Sequence, residues 1–394
     1  MKRELGQVYT EKTEIEKMIS LIENRDRGTR VLEPSVGECR IYEVLRGMYD
    51  KVDGIEIDVG VIPIIYMGEI KNIDFFEYES SSGYDLIVCN PPYVKYNKII
   101  ESTRDKLDHV FFNELSNLYL HFIKKCIDLL VEGGEMVFIN PVEFIKLTSG
   151  KELNEYIYDK GTITDFIDYG DKKVFKGASP NVCIWKYKKG LKDRVCRYGV
   201  SGEKKEFRIN KGGVIYFGSV GGEEGIELGD IFEIKVGGFS GADKIFTSLG
   251  GNKEFVYSET RVSGGLRRMY YNVESEELEK YKEELMGRGC RKFNESNWYE
   301  WGRNYPESER KRIYVNCKTR VEKPFFLSGC KNFDGSVLGL FLRDETMDEE
   351  VLCEKLNSMD WGGLGFKCGG RYIFGQRTLS SVLVERSLFY DKGK

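Results

Sequence analysis

Short apolar runs alternate with longer amphipathic segments over the first 185 residues. The run YDLIVCN (84–90) is continuously apolar, which is typical of a strand that is covered on both faces of a sheet. We predict strands at 29–34, 51–58, 70–76, 84–90, 135–140, 162–170 and 181–188, and helices at 39–50, about 103–130 and 152–160. This alternation predicts an α/β fold with a parallel sheet and helices on both sides.

The pattern of apolar residues and glycines along the chain changes after Lys189. Glycine pairs recur, the apolar runs are short, and one charged helix is predicted near 274–287. We place a boundary between about 188 and 210, which predicts domains at 1–190 and 191–394. The second domain is expected to be of mixed α+β type.

Composition fits globular domains, with 41% hydrophobic and 31% charged residues. No run reaches the roughly 18 apolar residues of a spanning helix, and the first residues have no apolar signal region, so we expect a cytoplasmic protein without a membrane anchor. Residues 186–330 carry 28 Lys and Arg against 22 Asp and Glu, a balance of +6, whereas the whole chain is at −4. Such an excess suits either a solvated face or a polyanion partner.

The numbers of cysteines and histidines limit the kinds of metal site and catalytic site that the chain can form. Ten cysteines are scattered without a CxxC pair, which favours reduced thiols in an intracellular protein. Only His109 and His121 are present, so we expect no histidine-based metal site and no Ser/His/Asp hydrolase.

The strongest chemical signal is Asn90-Pro91-Pro92-Tyr93, which follows the predicted strand 84–90. Ligands of open α/β sheets bind at the carboxyl edge of the strands. An amino group conjugated to a ring is a poor nucleophile, and two acceptors, the Asn90 side-chain oxygen and the Pro91 carbonyl, would stabilise the charge that develops on it. The prolines stiffen this loop, and Tyr93 offers a ring face for stacking, worth roughly 1–3 kcal/mol. A rigid polar turn is the structural alternative.

Acidic residues end the strands that precede this motif. Glu33-Pro34-Ser35-Val36-Gly37 closes the first strand and leads into a helix, where backbone N–H groups can face a ligand carboxylate. Glu56 lies 19 residues beyond Gly37, near the spacing at which a carboxylate meets ribose hydroxyls, with Asp58 as its rival. Asp74 could accept a hydrogen bond from an adenine amino group, with Phe75 packing either on that ring or in the core.

With these motifs in this order, the sequence resembles the γ-class N6-adenine DNA methyltransferases of restriction–modification systems. The matching segments are Gly6–Thr10, 31–37, GIEID (54–58), IDFF (73–76), NPPY (90–93) and Lys173–Phe175. Weaker similarity to recognition domains of these enzymes occurs at 229–246 and 369–385. Glu38-Cys39-Arg40 departs from the family pattern, in which small residues are common.

The resemblance implies a Rossmann-like S-adenosylmethionine-dependent methyltransferase sheet, followed by a C-terminal target-recognition domain. It implies that Thr10 anchors the amino-acid end of S-adenosylmethionine and that Phe175 stacks on a flipped adenine opposite Tyr93. The other implied cofactor-binding residues are Glu33, Pro34, Ser35, Gly37, Glu56, Ile57, Asp74, Phe75 and Asn90. Double-stranded DNA is the implied partner of a monomer, and any restriction endonuclease would be a separate protein.

Three alternatives remain open from the residues alone. The NPPY chemistry also suits methylation of adenine in RNA. It suits methylation of a protein glutamine side chain, because an amide nitrogen poses the same lone-pair problem. A specificity subunit that binds DNA without catalysis is the alternative outside the enzyme class.

Overall fold

A computed structural model describes residues 10–170, 174, 181–210, 212–219, 225–362, 364, 366–368 and 371–390. The chain divides into two compact units, Met1–Gly222 and Glu223–Lys394. Each unit is described by itself below.

The first unit is built on one large sheet with helices between its strands. Its strands are β1 (Arg30–Glu33), β2 (Lys51–Ile55), β3 (Ile70–Lys71), β4 (Tyr84–Cys89), β5 (Leu130–Pro141), β6 (Gly161–Asp168), β7 (Val182–Lys189), β8 (Val195–Tyr198), β9 (Glu203–Ile209) and β10 (Ile215–Ser219). Its helices are α1 (Lys12–Leu21), α2 (Arg40–Met48), α3 (Glu101–Arg104), α4 (Leu118–Leu129) and α5 (Lys151–Lys160).

The strands lie in the order β10-β9-β8-β6-β7-β5-β4-β1-β2-β3. Strands β3, β2, β1, β4 and β5 are parallel to one another, whereas β7 runs antiparallel to both β5 and β6. The α/β fold predicted from the sequence is confirmed, with a mixed rather than wholly parallel sheet. Strand order reverses between β1 and β4, so a crevice opens there at the carboxyl ends of the strands.

Strand β4 is buried on both faces, as its continuous apolar run predicted. Leu86 and Val88 pack with residues of α1 and α2, whereas Ile87 and Cys89 pack with residues of α4 and α5. Alternate side chains of a strand point to opposite faces, so both layers of helices hold this strand in place. The motif that follows β4 therefore starts from a rigid base.

Several predicted elements differ from those observed. The strand expected over 70–76 is only Ile70–Lys71, because the Asp74 side chain accepts from the Phe76 N–H and turns Phe75–Glu77 into a 3-10 helix. The expected helix over about 103–130 is instead the short helix α3 and the later helix α4, separated by turns that the side chains of Asp108 and Asn113 stabilise. The Asn117 side chain caps the start of α4. Strand β5 begins at Leu130, five residues before the predicted strand, and continues through Gly133, whose φ of 79° favours glycine.

The boundary between the units lies further along the chain than expected. The sequence placed it after residue 190, but β8 pairs in parallel with β6, β9 pairs antiparallel with β8, and β10 pairs antiparallel with β9. The first compact unit therefore extends beyond residue 190, because the backbone hydrogen bonds of β8, β9 and β10 complete its sheet.

A buried ion network crosses the middle of this sheet. The side chain of Lys186 on β7 is fully buried, and its Nζ lies 3.3 Å from Oδ2 of Asp165 on β6 and 2.6 Å from Oε1 of Glu23. Arg197 on β8 pairs with the same two carboxylates, at 2.6 Å and 3.0 Å. Removal of either buried member, Lys186 or Asp165, would leave an unbalanced buried charge, which is destabilising.

The second unit is of mixed α+β type, as predicted. Its largest sheet has four strands in the order β12-β18-β15-β17, and Trp361, Phe366 and Phe374 lie in the adjoining core. The described strands are β11 (Ile226–Glu227), β12 (Phe232–Val236), β13 (Lys253–Phe255), β14 (Arg267–Met269), β15 (Arg312–Asn316), β16 (Lys318–Thr319), β17 (Phe325–Phe326), β18 (Val337–Leu342), β19 (Lys367–Cys368), β20 (Arg371–Ile373) and β21 (Leu383–Val384). The described helices are α6 (Leu228–Ile231), α7 (Asp243–Phe246), α8 (Thr260–Ser263), α9 (Glu276–Glu279), α10 (Lys282–Met286), α11 (Glu349–Ser358) and α12 (Gln376–Ser380). The charged helix predicted near 274–287 is thus two short helices, α9 and α10.

Within the described ranges, every helix is too short or too polar to traverse a lipid bilayer.

Candidate functional site

A cleft opens in the first unit where β1 and β4 end side by side. It contains about 1000 Å³ of atom-free space, part of it open to solvent. Its lining residues are Thr10, Glu33, Pro34, Ser35, Val36, Gly37, Glu38, Arg40, Ile41, Glu56, Ile57, Asp74, Phe75, Phe76, Asn90, Pro92, Val94, Lys98, Ile99, Ile100, Thr103, Leu118 and Phe122. The cleft therefore unites the acidic strand ends with the segment that begins at Asn90.

Two carboxyl groups of the cleft differ in their hydrogen bonding. Glu56 accepts hydrogen bonds from the backbone N–H groups of Gly37, at 2.8 Å, and Asp58, at 3.0 Å. Glu33 is 1% exposed, and its Oε2 has no hydrogen-bond partner among the described residues. Burial raises the pKa of Glu33 well above its ordinary value, and the nearby Glu56 carboxylate raises it further. Ionisation of the Glu33 carboxyl is therefore unfavourable unless a hydrogen-bond donor or a cation binds beside Oε2.

The turn between β1 and α2 has a compact backbone path. Gly37 adopts a φ of 50° and Cys39 a φ of 63°, so two residues of one turn are left-handed. This conformation favours glycine and costs a side-chain-bearing residue roughly 1 kcal/mol or more. The Gly37 N–H, expected to face a ligand carboxylate, instead donates to Glu56. Cys39 is buried at the start of α2, so the unusual Glu38-Cys39-Arg40 sequence is accommodated.

Asp74 is held by three donors. Its Oδ1 accepts from the backbone N–H of Phe76 at 2.9 Å, and its Oδ2 accepts from the Thr103 hydroxyl at 2.6 Å. Lys106 Nζ lies 3.5 Å from the same Oδ2 and 2.6 Å from a carboxylate oxygen of Glu77. Asp74 is only 7% exposed, so its carboxylate direction is set by these contacts.

Asn90 lies at the centre of a hydrogen-bond network that joins several predicted segments. Its Nδ2 donates to the Thr10 hydroxyl at 2.9 Å, and its Oδ1 accepts from the Tyr93 hydroxyl at 3.0 Å. The Ser35 hydroxyl donates to the backbone carbonyl of Asn90 at 3.0 Å, and the Tyr93 hydroxyl also contacts the Ile139 carbonyl at 3.0 Å. Burial raises the pKa of Tyr93 well above its ordinary value, which keeps the hydroxyl protonated as a donor.

Eleven of the residues predicted for the site line the cleft: Thr10, Glu33, Pro34, Ser35, Gly37, Glu56, Ile57, Asp74, Phe75, Asn90 and Pro92. Pro91 and Tyr93 lie beside it within the same motif, and the Tyr93 ring meets the Tyr119 ring edge-on at 6.1 Å. Asp58, the rival of Glu56, does not line the cleft and instead accepts from the Gly60 N–H. Phe175 lies outside the described residues, as do Gly6–Tyr9 of the first matching segment.

Sequence reasoning missed one wall of the cleft. Val94, Ile99, Ile100 and Thr103 come from the segment that follows Tyr93. These residues form no motif of their own, and their position directly after NPPY was the only available signal. The cleft walls are partly apolar, as a site for a ring-bearing ligand requires.

Comparison with known proteins points to one group of enzymes. Residues 66–175 match the family described as Eco57I restriction-modification methylase. The Type II methyltransferase M.HincII of Haemophilus influenzae is 30% identical over 192 residues, covering 47% of this chain and 38% of that protein. The Type II methyltransferase M.TthHB8I of Thermus thermophilus is 29% identical over 211 residues, covering 48% of this chain and 46% of that protein.

Less than half the length of each of these relatives is matched. Among solved structures, a DrdV–DNA complex is similar over 85% of this chain and 44% of that chain, at 14% identity and a TM-score of 0.47. This structural likeness is too distant to carry a functional inference. The sequence matches confirm the predicted resemblance to restriction–modification methyltransferases.

Proposed function

We propose that this protein transfers a methyl group from S-adenosylmethionine to the N6 amino group of an adenine flipped out of double-stranded DNA. One observation carries the proposal. A single cleft brings the acidic ends of β1 and β2 and the buried Asp74 together with Asn90 and Pro92. A methyl donor and a poorly nucleophilic amine must meet in such a space, because positioning supplies roughly 7–11 kcal/mol of the barrier.

The charge and hydrogen bonding of the cleft fit S-adenosylmethionine. Its lining includes the carboxylates Glu33, Glu38, Glu56 and Asp74 against the cations Arg40 and Lys98. The cofactor carries an ammonium and a sulfonium against one carboxylate, so an acidic cleft complements its net positive charge. The Glu33 Oε2, which has no hydrogen-bond partner in the described part of the chain, is a buried acceptor for such a cation. When bound, the cofactor supplies an electrophilic methyl group.

Within this proposal, Glu56 binds the ribose hydroxyls and Asp74 accepts from the adenine amino group. Phe75 packs beside the adenine ring, with Ile57 lining the same region. Thr10, Pro34, Ser35 and Gly37 surround the amino-acid end. Ser35 and Thr10 also contact Asn90, at 3.0 Å and 2.9 Å, so the cofactor segments and the acceptor motif are mechanically linked.

Asn90 and Pro91 activate the target amine. The Asn90 Oδ1 and the Pro91 carbonyl accept its hydrogens and stabilise the positive charge that develops on nitrogen. The Tyr93 hydroxyl holds Oδ1 in place, and a carbonyl oxygen has two acceptor lone pairs, so this bond does not preclude a second donor. The two prolines keep the acceptors from reorganising during transfer.

The target adenine reaches the cleft by leaving the base stack, which costs a few kcal/mol. Stacking of the base on Tyr93, and on Phe175 as its partner, offsets part of this cost. The second unit contacts the duplex and supplies sequence recognition. The basic excess of 186–330 falls on residues 186–222, which carry 10 Lys and Arg against 3 Asp and Glu and belong to the first unit, so that part of the chain suits a phosphate backbone.

Methyl transfer from radiolabelled S-adenosylmethionine tests this proposal. The wild-type protein is expected to label duplex DNA, and nuclease digestion should return the label as N6-methyladenine. Asn90→Ala should lose at least ~10²-fold in kcat, because it removes an acceptor of the transition state, and should lose less in cofactor affinity, because Glu56 and Asp74 remain in place. The exposed Asn97→Ala is the matched control and should retain full activity. Full activity of Asn90→Ala would refute the acceptor role.

The alternative acceptors are tested in the same assay. Duplex DNA, structured RNA and a glutamine-containing peptide compete for label at equal concentration. Preferential labelling of RNA or peptide would contradict the proposed substrate. DNA binding without measurable affinity for S-adenosylmethionine would instead indicate a specificity subunit.

A further inference from the structure

The wall of the cleft formed after Tyr93 reaches across to Asp74. Helix α3 places Thr103 against this carboxylate, and Thr103 is 4% exposed while it lines the cleft. Its hydroxyl donates to Asp74 Oδ2 at 2.6 Å, within the range of hydrogen bonds from a hydroxyl to a carboxylate.

Lys106 reinforces the same carboxylate from one turn further on. Its Nζ lies between Asp74, at 3.5 Å, and Glu77, at 2.6 Å. The Phe76 N–H holds the opposite oxygen, Oδ1, at 2.9 Å. These three contacts, among the described residues, are all donors, so the carboxylate faces the cleft as an acceptor of fixed direction.

We propose that Thr103 and Lys106 are positioning residues for Asp74, and that they make it select a purine bearing a 6-amino group. The inference rests on the proposed function, which places the adenine of the cofactor beside Asp74. A fixed acceptor gains a hydrogen bond from the amino group and loses it when that group is absent. A carboxylate free to rotate would discriminate less, because it could turn towards another donor.

The same contact ties the segment after NPPY to the cofactor pocket. The Val94 carbonyl accepts from the Leu118 N–H at 2.9 Å, which anchors the start of the segment on α4. Thr103 anchors its later part on Asp74. The segment that follows the NPPY motif is thus attached at its start to α4 and at Thr103 to Asp74, the residue proposed to bind the adenine amino group.

Binding of S-adenosylhomocysteine, compared with its analogue that carries hydrogen in place of the 6-amino group, tests the inference by calorimetry. The wild-type protein should prefer the amino form by about tenfold or more. Thr103→Val keeps the shape but loses the donor, and should reduce this preference towards one. Thr103→Ser should restore it. The exposed neighbour Ser102→Ala should match the wild type.

Lys106→Gln offers an independent check should Thr103→Val fail to fold. Its side chain is 30% exposed, so the expected loss of preference is smaller, about two- to fivefold. Steady-state kinetics should show Thr103→Val raising KM for S-adenosylmethionine with little change in kcat, as expected when a contact is equally strong in ground and transition states.

The outcomes separate this inference from the proposed function. An unchanged preference in Thr103→Val, or in Lys106→Gln if the first variant does not fold, overturns the positioning role and leaves the methyltransferase proposal standing. Equal binding of both ligands by the wild type does the same. Absence of any S-adenosylhomocysteine binding by the wild type contradicts the proposed function, and the inference falls with it.

Discussion

Replacement of Glu33 by glutamine should move stability and cofactor affinity in opposite directions. Glu33 is 1% exposed, and its Oε2 has no partner among the described residues. Burial, followed by the Glu56 carboxylate, raises the pKa of Glu33 well above its ordinary value. Ionisation of this buried acid therefore costs folding free energy unless a cation compensates it.

The sign of the pH dependence follows from that pKa. Because the folded-state pKa is above the unfolded-state value, the free protein loses stability as the pH rises from the unfolded-state pKa to the folded-state pKa. Glu33→Gln removes the ionisable group, so the unliganded variant should be more stable than the wild type above this interval. Without a charge at position 33, its stability should also depend less on pH.

Cofactor binding should show the converse. An ammonium or sulfonium beside Glu33 favours the carboxylate, so binding releases up to one proton and affinity rises by up to about tenfold per pH unit below the raised pKa. Hydrogen bonds to charged groups contribute about 1.5–3 kcal/mol, so Glu33→Gln should weaken S-adenosylmethionine binding by roughly 10- to 150-fold.

Calorimetry in buffers of different ionisation enthalpy measures the released proton, and urea unfolding of the unliganded protein measures stability. Glu38→Gln, at a less buried position of the same cleft, is the control and should change both quantities much less. The reasoning is refuted if Glu33→Gln destabilises the free protein while its cofactor affinity and proton release equal those of the wild type.

Two further predictions concern the acceptor motif and the sheet. Tyr93→Phe retains the ring but removes the hydroxyl that holds Asn90 Oδ1, so kcat should fall by about tenfold or less while DNA affinity is kept, as single-turnover kinetics would show; no change in kcat would argue against this role. Asp165→Ala leaves the fully buried Lys186 without one of its partners and should lower the free energy of unfolding by about 3–5 kcal/mol in urea. The exposed Asp105→Ala should change it by no more than about 0.5 kcal/mol, and equal effects of the two variants would contradict the assignment.

The parts of the fold that the sequence predicts are those with a strong local signal. Strand β4 is a continuous apolar run, and it occurs at the expected place because helices on both faces demand such a run. The acidic strand ends converge on one cleft because the carboxyl ends of parallel strands share an edge of the sheet. Local pattern and topology therefore placed most of the candidate site.

The parts that escaped prediction depend on tertiary contacts. Strand β9, EKKEFRI, has few apolar residues, and its strand conformation comes from pairing with β8 and β10. The break between α3 and α4 arises from polar side chains that bind nearby backbone groups, which competes with the helical pattern of 103–130. Thr103 belongs to no recognisable motif, and its role in the site is indicated by its hydrogen bond to Asp74 in the structure.

A crystal structure with S-adenosylhomocysteine bound would test the central claim most directly. The account predicts the ligand in the cleft with its adenine amino group at Asp74, its ribose at Glu56 and its sulfur facing Asn90. A ligand bound in the cleft in the reverse direction, or bound elsewhere with its sulfur remote from Asn90, would contradict it.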